Sequence, residues 1–97
     1  MPQFLILADD FTDDEALTRR LAVREQHLQR MAVEKAKGNF ETGGAKLNSE
    51  GKMFGSMLVI SAENEAAARE WINDDPYVKG RVWDKISVIP FRVANVQ

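Results

Sequence analysis

The segment Phe4-Leu5-Ile6-Leu7-Ala8-Asp9-Asp10 predicts a short strand near the start of the chain. Its apolar residues are continuous rather than alternating, which is typical of a strand that is buried on both faces. The next residues, Thr12-Asp13-Asp14-Glu15, have the form of a capping box, with a hydroxyl at the N-cap and a glutamate three residues later. We therefore expect a helix from about residue 13 to about residue 37, ended by Gly38-Asn39.

The predicted helix carries two neighbouring rows of side chains at three- and four-residue spacing. One row is apolar and should face the core. It contains Leu17, Leu21, Leu28 and Met31. The second row contains Arg20, Arg24, His27 and Met31. Arg24 and His27 are therefore neighbours on one face of the helix and should point at the rim of the core.

Three more strands and one more helix follow along the chain. We predict strands at Phe40–Leu47, Met53–Ser61 and residues 82–93, and a helix that Asn64 caps and that ends near Asp74-Asp75-Pro76. Gly43-Gly44 interrupts the first of these strands, which indicates a bulge, or a ligand or chain segment close to the backbone. Pro90 places the last strand at a sheet edge or a bulge.

The resulting order, β-α-β-β-α-β, predicts a ferredoxin-like α+β sandwich with right-handed crossovers. Helices can cover only one face of such a sheet. The first strand nevertheless carries apolar side chains on both faces, Phe4/Ile6 on one and Leu5/Leu7 on the other, and the third strand does the same with its two alternating sets, Met57/Val59 and Leu58/Ile60. We therefore predict a homodimer that packs sheet against sheet about a two-fold axis.

The composition indicates a single globular domain over residues 1–97. Hydrophobic residues make up 44% and charged residues 29% of the chain, near the usual values for such a domain. There is no cysteine, which excludes a disulfide or a thiolate nucleophile. The net charge of −2 argues against nucleic acid as a partner. No membrane-spanning run or signal peptide is visible, so we expect a cytoplasmic protein with no membrane partner.

His27 is the only histidine and the first candidate for proton transfer near neutral pH. In the predicted fold both helices end on the same side of the molecule, so Asp75 can meet His27. A carboxylate on one imidazole nitrogen fixes the tautomer and leaves the other nitrogen free for catalysis. Arg24 can hold an anionic substrate. The structural alternative is a partly buried histidine and an Asp75-Pro76 helix stop.

Two further residues are candidates for substrate binding. Ser56 lies beside Gly55 on the third strand, and Tyr77 can donate a hydrogen bond to a substrate oxygen. Both also fit a purely structural role in a packed sheet or core. The acidic residues Asp9, Asp10, Asp13 and Asp14 lack the spacing of a calcium loop and indicate a solvated loop rather than a metal site.

Residues spread along nearly the whole chain match one family in the same order. They are Arg24-Glu25-Gln26-His27-Leu28, Gly43-Gly44, Gly51, Gly55-Ser56, Ala67, Trp71, Asp75-Pro76-Tyr77-Val78, Gly80 and Val88-Ile89-Pro90-Phe91. By this set the sequence resembles the YciI-like (YCII-related) family of small proteins. The sequence departs from the family pattern at Glu25, where proline is frequent, and at Gly44-Ala45, where Gly-Pro is common.

The resemblance implies a ferredoxin-like fold, a dimer of the dimeric α/β barrel type and a histidine–aspartate active site. On this sequence that pair falls on His27 and Asp75. A relative in chlorinated-aromatic breakdown is similar to a dehydrochlorinase, and the fold is similar to that of muconolactone isomerase. The resemblance thus implies acid–base chemistry on a small anionic molecule, and fold alone does not fix the function.

Two functions follow from these observations. The first is a small cytosolic enzyme that uses His27 and Asp75 for elimination or isomerisation, with Arg24, Ser56 and Tyr77 in its pocket and no metal or organic cofactor. The second is a non-catalytic dimeric module that binds a small molecule in the same cleft. The element order is also that of RNA-binding RRM domains, but their stacking aromatics are absent at Ser56 and Val59.

Overall fold

The computed structural model describes residues 1–96. Its elements are β1 (Gln3–Asp10), α1 (Ala16–Ala36), β2 (Phe40–Leu47), β3 (Met53–Ser61), α2 (Glu65–Asn73), α3 (Pro76–Lys79) and β4 (Trp83–Phe91). The four strands form one antiparallel sheet in the order β2-β3-β1-β4. The predicted ferredoxin-like α+β fold is therefore confirmed. The short helix α3 was not predicted, and β4 is shorter at both ends than the predicted strand.

The core lies between one face of this sheet and the helices. Phe4 pairs with Ile60 and Ile6 pairs with Leu58 across β1 and β3, and all four side chains are buried on this face. Leu5 and Leu7 alternate with them and point to the opposite face. Both of these leucines are only partly buried, so the second face of the sheet is also apolar.

The predicted capping box at the start of α1 is wrong. The helix begins at Ala16, and its N-cap is Glu15, which makes no side-chain capping hydrogen bond. The carboxylate of Asp13 instead accepts a hydrogen bond from the backbone N–H of Glu15 and pairs with the guanidinium of Arg19. Asp13 thus stabilises a turn ahead of the helix, because a short acidic side chain competes for the N–H groups that a helix needs.

The predicted apolar stripe of α1 is only partly right, because Met31 is buried but two of its leucines are not. Leu21 is 56% and Leu28 47% exposed, although both were expected in the core. The buried face of the helix follows the second predicted row instead, apart from Arg24, which is exposed. It contains Ala16, Arg20, His27, Met31 and Glu34. Arg20 and His27 can be buried because each meets a carboxylate from another part of the chain, and buried polar groups need such partners.

The glycine pair of β2 does not form a bulge. The irregular positions of the β2–β3 pairing lie on either side of it, between Phe40 and Thr42 and between Lys46 and Leu47. A Cβ atom on Gly43 would lie 2.6 Å from the carbonyl oxygen of Met57, so a close approach by the neighbouring strand requires glycine there. Pro90 lies on β4, which is an edge strand, as predicted.

No helix within residues 1–96 is long and apolar enough to cross a membrane.

Candidate active site

His27 and Asp75 are in direct contact. The Nδ1 atom of His27 lies 2.9 Å from Oδ1 and 3.0 Å from Oδ2 of Asp75. His27 is on the buried face of α1, and the Asp75 side chain is fully buried in front of α3. A carboxylate can only accept hydrogen bonds, so Nδ1 carries the imidazole proton and donates a hydrogen bond to Asp75.

The short helix α3 holds Asp75 in place. Asp75 is the N-cap of α3, and its Oδ1 accepts a hydrogen bond of 2.9 Å from the backbone N–H of Tyr77. Pro76 occupies the first position of the helix, where its fixed φ angle is favourable and no N–H is needed. The Asp75-Pro76 sequence therefore acts as a helix start as well as the stop of α2.

Arg30 completes this group and was not singled out from the sequence. Its Nη1 donates to Oδ2 of Asp75 at 2.9 Å, and its Nη2 donates to the carbonyl oxygen of Trp71 at 2.5 Å. Its guanidinium also lies over the Trp71 ring, 4.2 Å from the centroid. Arg30 follows His27 by three residues, so the same helical spacing that paired Arg24 with His27 also pointed to Arg30.

Aromatic rings fix the plane of the imidazole. The His27 ring stacks on the Tyr77 ring with a centroid distance of 4.1 Å and an interplanar angle of 20°. The Trp83 ring meets the imidazole edge-on at 5.9 Å. Burial raises the pKa of the Tyr77 phenol, an effect that the nearby Arg20 and Arg24 partly oppose. Tyr77 therefore keeps its proton at neutral pH and can donate a hydrogen bond.

A second buried group lies on the other side of Tyr77. The Nη1 atom of Arg20 donates to both oxygens of Asp10, at 3.0 and 3.1 Å, and its Nη2 donates to Ser56 Oγ at 2.8 Å. The guanidinium lies 4.6 Å from the Tyr77 ring centroid. Burial raises the pKa of Asp10, and the charge of Arg20 partly offsets this effect. Asp10 is thus not part of a solvated loop, which corrects the sequence-based expectation for this residue.

The hydroxyl of Ser56 can make one more hydrogen bond, as a donor. Its oxygen accepts hydrogen bonds from Arg20 Nη2 at 2.8 Å and from Trp83 Nε1 at 3.1 Å. These two bonds occupy both lone pairs of the oxygen. Within residues 1–96 the hydroxyl proton has no acceptor. Ser56 is therefore arranged to donate a hydrogen bond to a group outside this network.

A cavity of about 180 Å³ opens beside these side chains. Its polar lining consists of Arg20, Arg24, His27, Ser56 and Tyr77. No aspartate or glutamate of residues 1–96 lines it, because Asp75 lies behind His27 and Asp10 lies behind Arg20. The lining therefore has a positive balance of charge. A wider depression of about 610 Å³ lies near the start of α1 and does not include His27.

The five residues proposed from the sequence thus lie together in space. Arg24, His27, Ser56 and Tyr77 line one cavity, and Asp75 supports His27 from behind. Their roles in binding or catalysis stay predictions. In the part of the chain that the structure describes, no three His, Cys, Asp or Glu side chains converge in a geometry that would hold a metal ion.

Comparison with known proteins gives a consistent result. The family model described as the YCII-related domain matches residues 3–92. An uncharacterized protein of Haemophilus influenzae is 36% identical over 95 residues, which cover 92% of this chain and 95% of that protein. Protein YciI of Escherichia coli O6:H1 is 34% identical with the same coverage.

A solved structure shares the fold. It is 5-chloro-2-hydroxyhydroquinone dehydrochlorinase (TftG) from Burkholderia phenoliruptrix AC1100, in complex with 2,5-dihydroxybenzoquinone. The two chains align with a TM-score of 0.81 and 24% identity over 95% of each. The family match over residues 3–92 and the two bacterial relatives show that this chain belongs to the YCII-related family.

Proposed function

We propose that this chain is an acid–base enzyme that eliminates from, or isomerises, a small anionic ring-derived molecule bound beside His27. One observation carries the proposal. Nδ1 of His27 is held by the buried Asp75, while Nε2 has no hydrogen-bond partner within residues 1–96 and the imidazole lines the cavity. This arrangement leaves Nε2 as the atom that accepts a proton from a ligand.

The proton follows a simple route in this proposal. Nε2 of His27 takes a proton from the bound molecule, and Asp75 holds the imidazole in the tautomer that leaves Nε2 unprotonated. In an elimination the released electron pair forms a new double bond and the leaving group departs as an anion. In an isomerisation the imidazolium returns the proton to a different carbon of the same molecule.

The cavity limits the class of ligand. A volume of about 180 Å³ is close to that of the ~150 Å³ cavity known to bind benzene, so it admits one substituted ring. Arg24 forms no salt bridge within residues 1–96 and can pair with an anionic group of the ligand. Ser56 and Tyr77 donate hydrogen bonds, so they favour ligand oxygens that accept them. The dehydrochlorinase activity and quinone complex of the structural neighbour support this choice.

A non-catalytic module that binds a small molecule is the second candidate. One observation favours it, because Asp75 already has a structural role as the N-cap of α3. In that case His27 and Arg30 only complete the buried surroundings of a capping residue. The cavity then binds a ligand with no proton transfer.

Binding and turnover measured side by side separate the two candidates. We would measure binding of 2,5-dihydroxybenzoquinone by calorimetry and chloride release from 5-chloro-2-hydroxyhydroquinone, the substrate class of the structural neighbour. The enzyme proposal expects chloride release that saturates with substrate concentration. Tight binding of both compounds, with neither chloride release nor exchange of substrate protons with solvent, would favour the binding module.

Asp75→Asn should lower kcat by at least about tenfold. Asparagine keeps the size of Asp75, but it removes the charge and can present an N–H as well as an oxygen to Nδ1 of His27. The imidazole can then place its proton on Nε2, where it no longer accepts one. The measurement is the pH–rate profile of the variant, with circular dichroism to show that the fold persists. A profile identical to that of the unchanged protein would contradict the role given to Asp75.

The homodimer stays a prediction, as does the cytosolic location. The second face of the sheet supports the dimer, because Leu5 pairs with Val59 and with Ile89, and Leu7 pairs with Met57, across neighbouring strands. An apolar sheet face of this kind is best covered by the same face of a second copy.

Leu7→Lys should weaken the dimer by at least about tenfold, because it places a charge in the middle of this face and removes buried apolar area. Leu21→Lys is the matched control, since Leu21 is 56% exposed on α1. Light scattering at several protein concentrations measures both variants. A monomer in the unchanged protein, or a dimer that Leu7→Lys leaves intact, would exclude this interface.

A further inference from the structure

The buried carboxylate of Asp75 has a permanently charged partner in addition to His27. It accepts hydrogen bonds from His27 Nδ1, from the backbone N–H of Tyr77 and from Arg30 Nη1. Asp75 carries one negative charge and its side chain is 0% exposed. The guanidinium of Arg30 is always protonated, so it neutralises that charge without any help from His27.

The charge state of His27 depends on this balance. A buried carboxylate with no other cation draws a proton onto a neighbouring imidazole, because an unpaired buried charge is costly. With Arg30 in place the imidazole has only to donate Nδ1–H, which it does in its neutral form. We propose that Arg30 is a positioning residue that neutralises Asp75 and so keeps His27 an uncharged base with its proton on Nδ1.

The position of Arg30 is well defined by contacts that do not involve His27. Its Nη2 donates to the carbonyl oxygen of Trp71, and its guanidinium lies over the Trp71 ring. The Trp71 indole N–H in turn donates to Glu34. Arg30 is therefore fixed from α1 and α2 together, and its side chain is 19% exposed. A guanidinium held in this way maintains its charge beside Asp75 whether or not a ligand is bound.

The other charged or titratable groups around His27 either disfavour a charged imidazole or neutralise each other. Arg24 lies about one turn away on α1, and its positive charge also disfavours an imidazolium. Tyr77 from α3 stacks on the ring as a neutral phenol. Arg20 of α1 and Asp10 of β1 lie beyond Tyr77 and neutralise each other. Arg30 is thus the one cation within residues 1–96 that contacts the carboxylate partner of His27.

The inference rests on the proposed function only for its catalytic meaning, since the charge of His27 can be measured without a substrate. Because His27 is the only histidine, nitrogen NMR on isotope-labelled protein reports its two ring nitrogens without overlap. We expect the unchanged protein to show an imidazole whose proton lies on Nδ1, the nitrogen that faces Asp75. In Arg30→Gln, which keeps an N–H donor but removes the charge, we expect the imidazolium to persist to a pH higher by about one unit, a tenfold change in proton affinity.

Two further variants make the outcome decisive. Arg30→Lys retains the positive charge and should move the titration much less than Arg30→Gln. Arg69→Gln removes an exposed arginine that pairs with Glu65 and should not move it at all. A neutral imidazole with its proton on Nε2 would overturn the proposal, and so would equal titrations in the unchanged protein and Arg30→Gln. If Arg30→Gln does not fold, a shift in Arg30→Lys as large as one pH unit would also overturn it, because the charge is retained.

Failure of this inference and failure of the proposed function give different experimental results. A protein that never turns over a ring substrate can still show the expected titrations, and the charge balance at Asp75 then stands without a catalytic use. Conversely, an active enzyme whose imidazole titration ignores Arg30 would retain the proposed function and lose only the role of Arg30.

Discussion

Replacing His27 with alanine should lower kcat/KM by about 10²- to 10⁴-fold, the range expected when a general base is removed. Ligand affinity should fall much less, because Arg24, Ser56 and Tyr77 still line the cavity. The measurement is turnover of a ring substrate at saturating and limiting concentrations, alongside calorimetry with the corresponding product or quinone. A loss confined to kcat would show that the imidazole acts in the reaction rather than in binding.

Two controls protect this prediction against a simple packing defect. Gln26→Ala changes the exposed neighbour of His27 on α1 and should keep full activity. Free imidazole added to His27→Ala should restore part of the rate, because the vacated ring space connects with the cavity. Normal turnover by His27→Ala would end the catalytic proposal. A variant that loses ligand binding and turnover to the same extent would favour the binding module.

The sequence predicted the sheet well because its strands are marked by local signals. Met53–Ser61 follows a turn and is continuously apolar over residues 57–60, and its observed bounds agree with the predicted ones. The order of the elements also predicted that His27 and Asp75 can meet, because it places the ends of both helices on the same side of the molecule. Asn64 caps α2 as predicted, by accepting a hydrogen bond from the backbone N–H of Ala67.

The face of α1 was not predictable from hydropathy. Leu21 and Leu28 look like core residues in any apolar pattern, yet both are largely exposed, and Arg20 is only 2% exposed. The burial of Arg20 and His27 in place of these leucines depends on Asp10 and Asp75. These aspartates lie 10 and 48 residues away in the sequence from their partners on α1. Local periodicity contains no information on contacts at that separation. Arg30 was missed although its spacing from His27 pointed to it, because its contact with Asp75 depends on where Asp75 lies in the fold.

Replacing Arg20 with methionine should lower the free energy of unfolding at neutral pH by about 3–5 kcal/mol. Methionine fills a similar length of space, so the loss comes mainly from Asp10, whose charge is left buried without its cation. Ser56 also loses one of its two donors. Urea denaturation followed by circular dichroism measures the effect.

The pH dependence follows from the raised pKa of Asp10. Burial already raises it above the ordinary value of 3.8, and removing the opposing charge of Arg20 raises it further. A raised carboxyl pKa favours folding below the unfolded value and disfavours it as the pH rises through the folded one. The deficit of Arg20→Met should therefore be small near pH 3.8 and grow toward neutral pH.

Two comparisons assign this loss to the buried pair. Arg19→Met removes the neighbouring arginine. Arg19 binds Asp13 at the surface with both of its terminal nitrogens. The substitution should hardly change the denaturation midpoint, because exposed ion pairs contribute little. Adding Asp10→Asn to Arg20→Met should recover much of the loss, since no buried charge then lacks a partner. If the double variant is as unstable as the single one, the lost stability comes instead from the packing of Arg20 against Tyr77. Stacking rather than ion pairing would then explain why Arg20 is buried on the inner face of α1.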